Sequence, residues 1–383
     1  MKQSGVLLIA DMSNYTAFLT QSDLEEAQGI LNQLFTTILE ETRPPFVIAK
    51  LEGDAVFAYA PQGAFMQGQT LLEAIEKIYI AFRQQRERIA LNMCTIDEAA
   101  ADAFLALDLK FAVHYGEFMM SQFGDRTELS GPDVILTHRL VKNGVQRRTG
   151  VAAYAFITQA ATEALNLTEA CNTMTCHEEE YDHLGAVRGF VHDLGAVWQA
   201  HRQSAPMHIT PEETWFVVEA DLPVASALAW DYLHDPDKKR IWSQSDEMDV
   251  LFNEAGRLGI GAAHQCAHGD TTFTHTIVDW RPFDYATFDV EGPLGSIIRY
   301  QTHVEETPQG TRIRWVWARP AGGTNALSEG LVKLITPAMR FFFEGPAYDV
   351  ADIIRAMVDE DITLGHVTPL LENGWTFNAQ AAR

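Results

Sequence analysis

Apolar residues recur with two different periods along the first 200 positions of the chain. Residues 5 to 10, around "VLLIA", form a short unbroken apolar run that reads as a buried strand. After a Ser/Asn/Thr turn, Phe18, Ile30, Leu31, Leu34, Phe35, Ile38 and Leu39 recur at helical spacing until "RPP" stops the pattern, which predicts one long helix. "FVIAKLEGDAVFAYA" reads as two strands meeting at Gly53, a hairpin. A second helix is expected from about Phe65 to Leu91, with Leu72, Ile75, Tyr79 and Phe82 on one stripe, and "MCTIDEAAADAF" as a loop or short helix. "LDLKFAVHYGEF" alternates as a strand does. "GPDVILTHRLVKNG" is a short helix opened by Gly131-Pro132 and closed by Gly144, and "AAYAFIT" is another strand. Interleaved strands and helices predict an α/β sandwich.

The pattern changes at "QAHRQSAPMHITPEE", residues 199 to 213, which is polar, contains proline and has no period. Beyond it lie seven of the eight Trp. A strand "TWFVVEA" leads into a helical stretch "ASALAWDYL". Then come strand-like runs "DVLFNEA", "GAAHQCAH", "TFTHTIVDW", "YATFDVE", "IIRYQTHVE" and "TRIRWVWAR". A long apolar helix, "LSEGLVKLITPAMRFFFEGPAYDVADIIRAMV", closes the chain and is expected to bend near Pro337 or Gly345-Pro346. This order is α+β. The expected division is a first domain over 1–200, a linker over 201–213, a second domain over 214–362 and a tail over 363–383.

Composition narrows the partners. With 28 basic against 52 acidic residues the net charge of -24 disfavours nucleic acid and polybasic membrane anchoring. A nucleotide stays open, because a carboxylate-held divalent ion supplies positive charge locally. Four sparse cysteines (Cys94, Cys171, Cys176, Cys266) point to reduced thiols and a cytoplasmic location. The run before Asp11 is too short for a signal-peptide core, and nothing later approaches 18 uncharged apolar residues, so no membrane span is expected.

The candidate chemistry of the first domain is carried by carboxylates. Asp11 follows the first strand where a turn and helix start offer backbone N–H groups, and Asp54 sits at a hairpin able to lie beside that strand. Two carboxylates at adjacent strand ends suit a hard divalent ion, whose remaining positions water and phosphate oxygens fill. "LLIADMSNYTAF", "KLEGDAVFA", "LKFAVHYGEF" and "LSGPDVILTHRL" occur in the order and spacing of the class III nucleotide cyclase catalytic domain, which the chain resembles over about residues 5 to 195.

That resemblance implies a ferredoxin-like βαββαβ core, a head-to-tail homodimer with sites at its interface, and formation of cyclic nucleotides from ATP or another nucleoside triphosphate. It places Asp11 and Asp54 on the two metal-binding aspartates for two Mg²⁺ or Mn²⁺. Lys50 falls on the base-reading lysine of adenylate cyclases, Glu128 on the second base-contacting position, and Arg139 on the arginine that stabilises phosphate charge in the transition state. Two positions depart from the pattern. Asn14 stands where a glycine is usual, although Asn tolerates the same left-handed backbone. Ile135 stands where an asparagine orients the ribose, and losing one preorganised donor commonly costs about 100-fold to 1000-fold in rate. The competing expectation is a degenerate cyclase fold acting as a dimerisation or sensor module. His114, on a strand, and His138, beside Arg139, read as structural.

From about Thr214 to Val358 the chain resembles the SRPBCC or START-like superfamily. The residues that carry this are "LPVASALAWDYLHDPDKKRIWSQS", "VDWRPFDYATF" and the terminal helix. The resemblance implies a helix-grip fold, with a sheet wrapped on a long helix around a cavity for a small apolar or aromatic ligand. Leu331, Ile335, Met339, Phe342 and Phe343 give the helix more apolar surface than one stripe needs. Trp230, Trp242, Trp280, Trp315 and Trp317 are candidates to line the hollow or to pack as core. In "HQCAHG", period two puts His264, Cys266 and His268 on one face, with His275 on the next strand. That is a zinc-type ligand set, yet three such positions spread over about 13 Å, so a pair plus His275 is the most one ion can use. A polar patch in the cavity wall and simple packing are the alternatives. The joint expectation is a cyclase-like signalling protein in which a ligand pocket acts on nucleotide binding or turnover.

Overall fold

The computed structural model describes residues 2–65, 67–92, 98–123, 126–253, 255–269 and 271–370, with the side chains of residues 92, 98, 99, 126 and 342 left out. The chain divides into two compact units, Met1–Ser204 and Ala205–Arg383.

The first unit begins with β1 (Lys2–Ser13), α1 (Tyr15–Gln21) and α2 (Leu24–Thr42). The single expected helix is broken here because Asp23 caps a fresh start, its side chain accepting from the Glu25 and Glu26 N–H groups. Asn14, ahead of α1, is left-handed at φ 63°, as expected of an Asn in a glycine's place. Next come β2 (Val47–Glu52), β3 (Ala55–Pro61), α3 (Gly68–Asn92), α4 (Glu98–Leu105) and β4 (Asp108–Phe123). Cys94 falls outside the described residues. β5 (Arg126–Ser130), which alternation did not mark, folds back on the end of β4. α5 (Pro132–Leu140) stops short of Gly144 and a separate turn, α6 (Val145–Thr149), follows. Then come β6 (Tyr154–Thr158), α7 (Gln159–Ala164), the unanticipated hairpin β7 (Thr175–Tyr181) and β8 (Gly185–Asp193), and α8 (Leu194–Gln203).

The sheet order is β2-β3-β1-β4-β6-β8-β7. Each of its first four strands is antiparallel to its neighbour, with β1 between β3 and β4, the order of a ferredoxin-like βαββαβ core. One face of this sheet buries Leu7, Ile9, Phe57, Ala112 and Phe156 under Val134 and Leu140 of α5. Period two along β1 and β4 therefore carries Asp11 and Lys110 onto that same face, at one end of the strands.

The second unit runs through β9 (Thr214–Leu222), α9 (Ser226–His234), α10 (Pro236–Trp242), β10 (Glu247–Leu251), β11 (Ala263–His268), β12 (Thr271–Arg281), β13 (Tyr285–Glu291), β14 (Ile297–Thr307), β15 (Gly310–Ala318) and α11 (Ala326–Thr363). Its antiparallel sheet has the order β10-β11-β12-β13-β14-β15-β9, and α11 packs on β9. Strands and helices segregate, so the unit is α+β. α11 stays helical through Pro337 and Pro346.

The polar stretch before β9 is held down rather than loose. Met207 N–H donates to Asp279, and the Ile209 N–H to Gln301, at 2.7 and 3.0 Å. Asp279 and Gln301 are both buried, so these bonds satisfy polar groups that would otherwise be costly.

Candidate nucleotide site and apolar cavity

The tip where β2 turns into β3 organises the charged residues of the first unit. Glu52 and Ala55 pair directly, leaving Gly53-Asp54 as a two-residue loop. Gly53 sits at φ 66°, a backbone that glycine adopts without steric cost. The Asp54 carbonyl accepts the Met12 N–H at 2.9 Å, which ties this loop to the end of β1. Asp11, two positions from the end of β1, lies opposite Ala55 on one side and Lys110 on the other.

Asp11 is 9 % exposed. Burial lifts its carboxyl above the usual carboxylate range; Lys110 pulls it down, and the nearby Asp54 charge lifts it again. The Lys110 ammonium lies 3.0 Å from Asp11 Oδ2. Beside Lys110 on the next strand, the buried Tyr154 hydroxyl donates to Asn143 at 2.8 Å, and burial pushes it up to about 12. The two aspartates are close enough for one charge to act on the other, and a cation is already seated on Asp11.

A second charged chain runs alongside. Lys50 lies 3.2 Å from Glu52, and the other Glu52 oxygen lies 2.9 Å from His138 Nε2. His138 Nδ1 faces the Val134 carbonyl, and its ring packs edge-on against Phe57 at 4.7 Å. His138 is therefore a link between α5 and the tip of β2. β5, which carries Glu128, approaches β2, which carries Lys50.

Arg139 and Ile135 occupy the outward face of α5, one turn apart, and Ile135 is 56 % exposed. The start of α5 is fixed by Asp133, whose carboxylate accepts the Glu117 N–H at 2.7 Å and lies 3.4 Å from His114 Nε2. His114 is buried, and its Nδ1 meets the Thr158 hydroxyl at 2.9 Å, which gives it a structural place between β4 and β6. Gly116 is required here, because a Cβ on it would fall 2.3 Å from Asp133 Oδ2.

In the second unit a cavity of about 160 Å³ opens between the sheet and α11. Of the residues singled out in the sequence, Trp242, Cys266, His268, His275, Trp315, Trp317 and Phe343 line it. Two others do not. Trp280 packs against Trp230 and His234 of α9, each at 4.9 Å. His264 is fully buried behind the wall, where its Nδ1 accepts from Lys239 Nζ at 2.8 Å. Phe342 is among the side chains not described. Of the apolar residues on α11, Leu331 points to solvent while Phe343 turns inward.

Among the described residues no group of three or more His, Cys, Asp or Glu side chains is placed to hold a metal ion. In "HQCAHG" the Nδ1 of His264 faces an ammonium, that of Lys239. Sequence reasoning missed Lys110 and Lys239. Lys110 interrupts the apolar face of β4, and that break was the available signal, whereas Lys239 sits between Lys238 and Arg240 in a charged run where nothing sets it apart.

A family described as "Protein of unknown function (DUF2652)" matches residues 31–150. An uncharacterized protein of Mycobacterium tuberculosis is 31% identical over 134 residues, which is 35% of this chain and 59% of that protein. The chain thus spans under two thirds of the curated relative's length.

Solved structures similar to this chain include cyclase domains. The guanylyl cyclase Cya2 is 16% identical at TM-score 0.39, over 50% of this chain and 92% of that one. The adenylyl cyclase CyaB from P. aeruginosa is 13% identical at TM-score 0.37, over 50% and 95%. The guanylate cyclase domain of RhGC from Catenaria anguillulae, in complex with GTP, is 14% identical at TM-score 0.33, over 50% and 97%. Among the described residues no helix is long and apolar enough to cross a membrane.

Proposed function

We propose that the first unit is a cyclase-like module that binds a metal–nucleoside triphosphate, and that the second is a helix-grip receptor for a small apolar or aromatic ligand. The observation that carries the first half is the meeting of Asp11 and Asp54. Two carboxylates at neighbouring strand ends, one buried and the other close enough for its charge to raise the first one's pKa, are a donor set suited to a hard divalent ion. Asp11 and Asp54 would hold Mg²⁺ or Mn²⁺, and the ion when bound polarises the phosphate oxygens.

The protein's own residues supply the rest. Lys110 offsets part of the charge of Asp11 and holds its carboxylate in place. Lys50 and Glu128 stand on approaching strands as base-contacting groups, and Glu52 with His138 fixes the height of Lys50 against α5. Arg139 projects from an outward helix face, which suits service to a site on a second copy of the chain; a homodimer is part of the reading. Ile135 on that same face offers no hydrogen bond to a ribose. It favours binding without efficient turnover, with the nucleotide acting as a signal ligand or a slow substrate.

The second half of the reading is supported by the strand order, the long helix on β9 and the aromatic-walled cavity between them. Coupling between pocket and nucleotide is the economical use of both. Calorimetric titration of a non-hydrolysable ATP analogue with Mn²⁺ tests the first half. Binding weakened in Lys50→Ala supports it, and no binding by the wild-type dimer ends it.

A further inference from the structure

Two adjacent lysines of α10 have opposite surroundings. Lys238 pairs with Asp361 at 2.6 Å, an ordinary tie between α10 and α11. Lys239 is 1 % exposed, lines the cavity, and meets only neutral or aromatic groups among the described residues. Its ammonium donates to His264 Nδ1 at 2.8 Å and to the Tyr300 hydroxyl at 3.4 Å, and it lies over the Phe288 ring at 4.5 Å. Burial and the ammonium itself hold His264 and His275 well below their ordinary pKa, so neither carries charge at neutral pH. Among the described residues no Asp or Glu lines the cavity. A buried charge normally keeps a counter-charge, because desolvation without one is expensive.

We propose that this cavity binds a small apolar carboxylic acid, its carboxylate paired with the Lys239 ammonium and its hydrocarbon or aromatic body against Trp242, Trp315, Trp317 and Phe343. The proposal rests on reading the second unit as a ligand receptor and goes on to name the class of ligand. Size agrees, since an apolar cavity of about 150 Å³ accepts a benzene ring and this one measures about 160 Å³. The polar residues agree too. Tyr300, accepting from Lys239, is placed to donate its own O–H to His275 Nδ1 at 3.0 Å, which leaves the neutral His275 with its proton on Nε2, the form that donates. Cys266, also on the wall, has its thiol raised by burial and so supplies no thiolate to compete for the ammonium.

The test uses matched acid and amide probes on the full chain, phenylacetate against phenylacetamide and isovalerate against isovaleramide, by calorimetry at pH 7. At least one acid is expected to bind tenfold or more tightly than its amide. Its affinity should fall above pH of about 8, where burial leaves the Lys239 ammonium free to lose its proton. In Lys239→Met the advantage of the acid should vanish while the amide still binds. Equal affinity of acid and amide in the wild-type protein overturns the inference and leaves the cavity reading standing. If none of the four probes binds, the inference and the cavity reading fail together.

Discussion

Lys110 Nζ lies 3.0 Å from Asp11 Oδ2 across the β1–β4 pair, inside the face that α5 covers. An ammonium on that carboxylate does locally what a metal ion would do, so the two compete for one charge. Lys110→Met leaves Asp11 with neither. Without metal it should destabilise the protein by about 1–3 kcal/mol, the cost of a charged group left without its partner. Mn²⁺ should then raise the melting temperature of the variant by more than it raises that of the wild type. Equal shifts would mean that Asp11 takes no part in holding the ion.

The raised pKa of Asp11 fixes a sign. Its folded value lies above the unfolded one, so its contribution to stability is complete below the usual carboxylate range and is lost as pH rises through the folded value. Asp11→Asn removes this loss. The variant should melt higher than the wild type at pH 7 in metal-free buffer, should match it at pH 3, and should show no shift with Mn²⁺. Calorimetric scans across that range check all three.

Ile135 is more than half exposed, so replacing it should change stability by no more than about 0.5 kcal/mol. Ile135→Asn restores the hydrogen-bonding group that the resemblance lacks, and cyclic AMP formation from Mn²⁺–ATP should rise about 100-fold to 1000-fold. Chromatography of the products decides. An unchanged rate would place the barrier to turnover elsewhere.

Gly116 and Asp133 share one small space. Gly116→Ala puts a methyl group on the Asp133 carboxylate and should cost about 1–3 kcal/mol in urea unfolding, as overpacking does. Gly150→Ala, with a positive φ but open space around it, should leave the mount of α5 untouched.

Lys239 fixes a sign in the opposite direction. Burial lowers its folded pKa from 10.5 to about 8, so its stability contribution is complete above the unfolded value and is lost as pH falls through the folded one. Lys239→Met should be the more stable protein at pH 7, by about 2–4 kcal/mol, because each tenfold loss of proton affinity on folding costs about 1.36 kcal/mol. The gap should close by pH 11. A gap that did not change with pH would mean that the lysine is not held in a desolvated site.

Much of the first unit was legible because its central strands are continuous apolar runs bounded by turn residues, and both the hairpin at Gly53 and the nearness of Asp54 to Asp11 follow from that punctuation. The break between α1 and α2 was missed because the apolar spacing continues across it and only the Asp23 cap interrupts the backbone. The β7–β8 hairpin was missed because "TCHEEEY" is polar and lies at a sheet edge, where exposed charge is usual. In the second unit, period two grouped His264 with Cys266 and His268 on one strand face. It could not reveal that an ammonium from α10 would reach His264, since that contact joins positions 25 apart.

The most direct test of the metal–nucleotide reading is electron paramagnetic resonance of Mn²⁺ titrated into the full chain with a non-hydrolysable ATP analogue. The account predicts loss of the free-ion signal with wild-type protein, and affinity at least tenfold weaker in Asp54→Ala. An undiminished signal in the wild type, or equal binding by the variant, would contradict it.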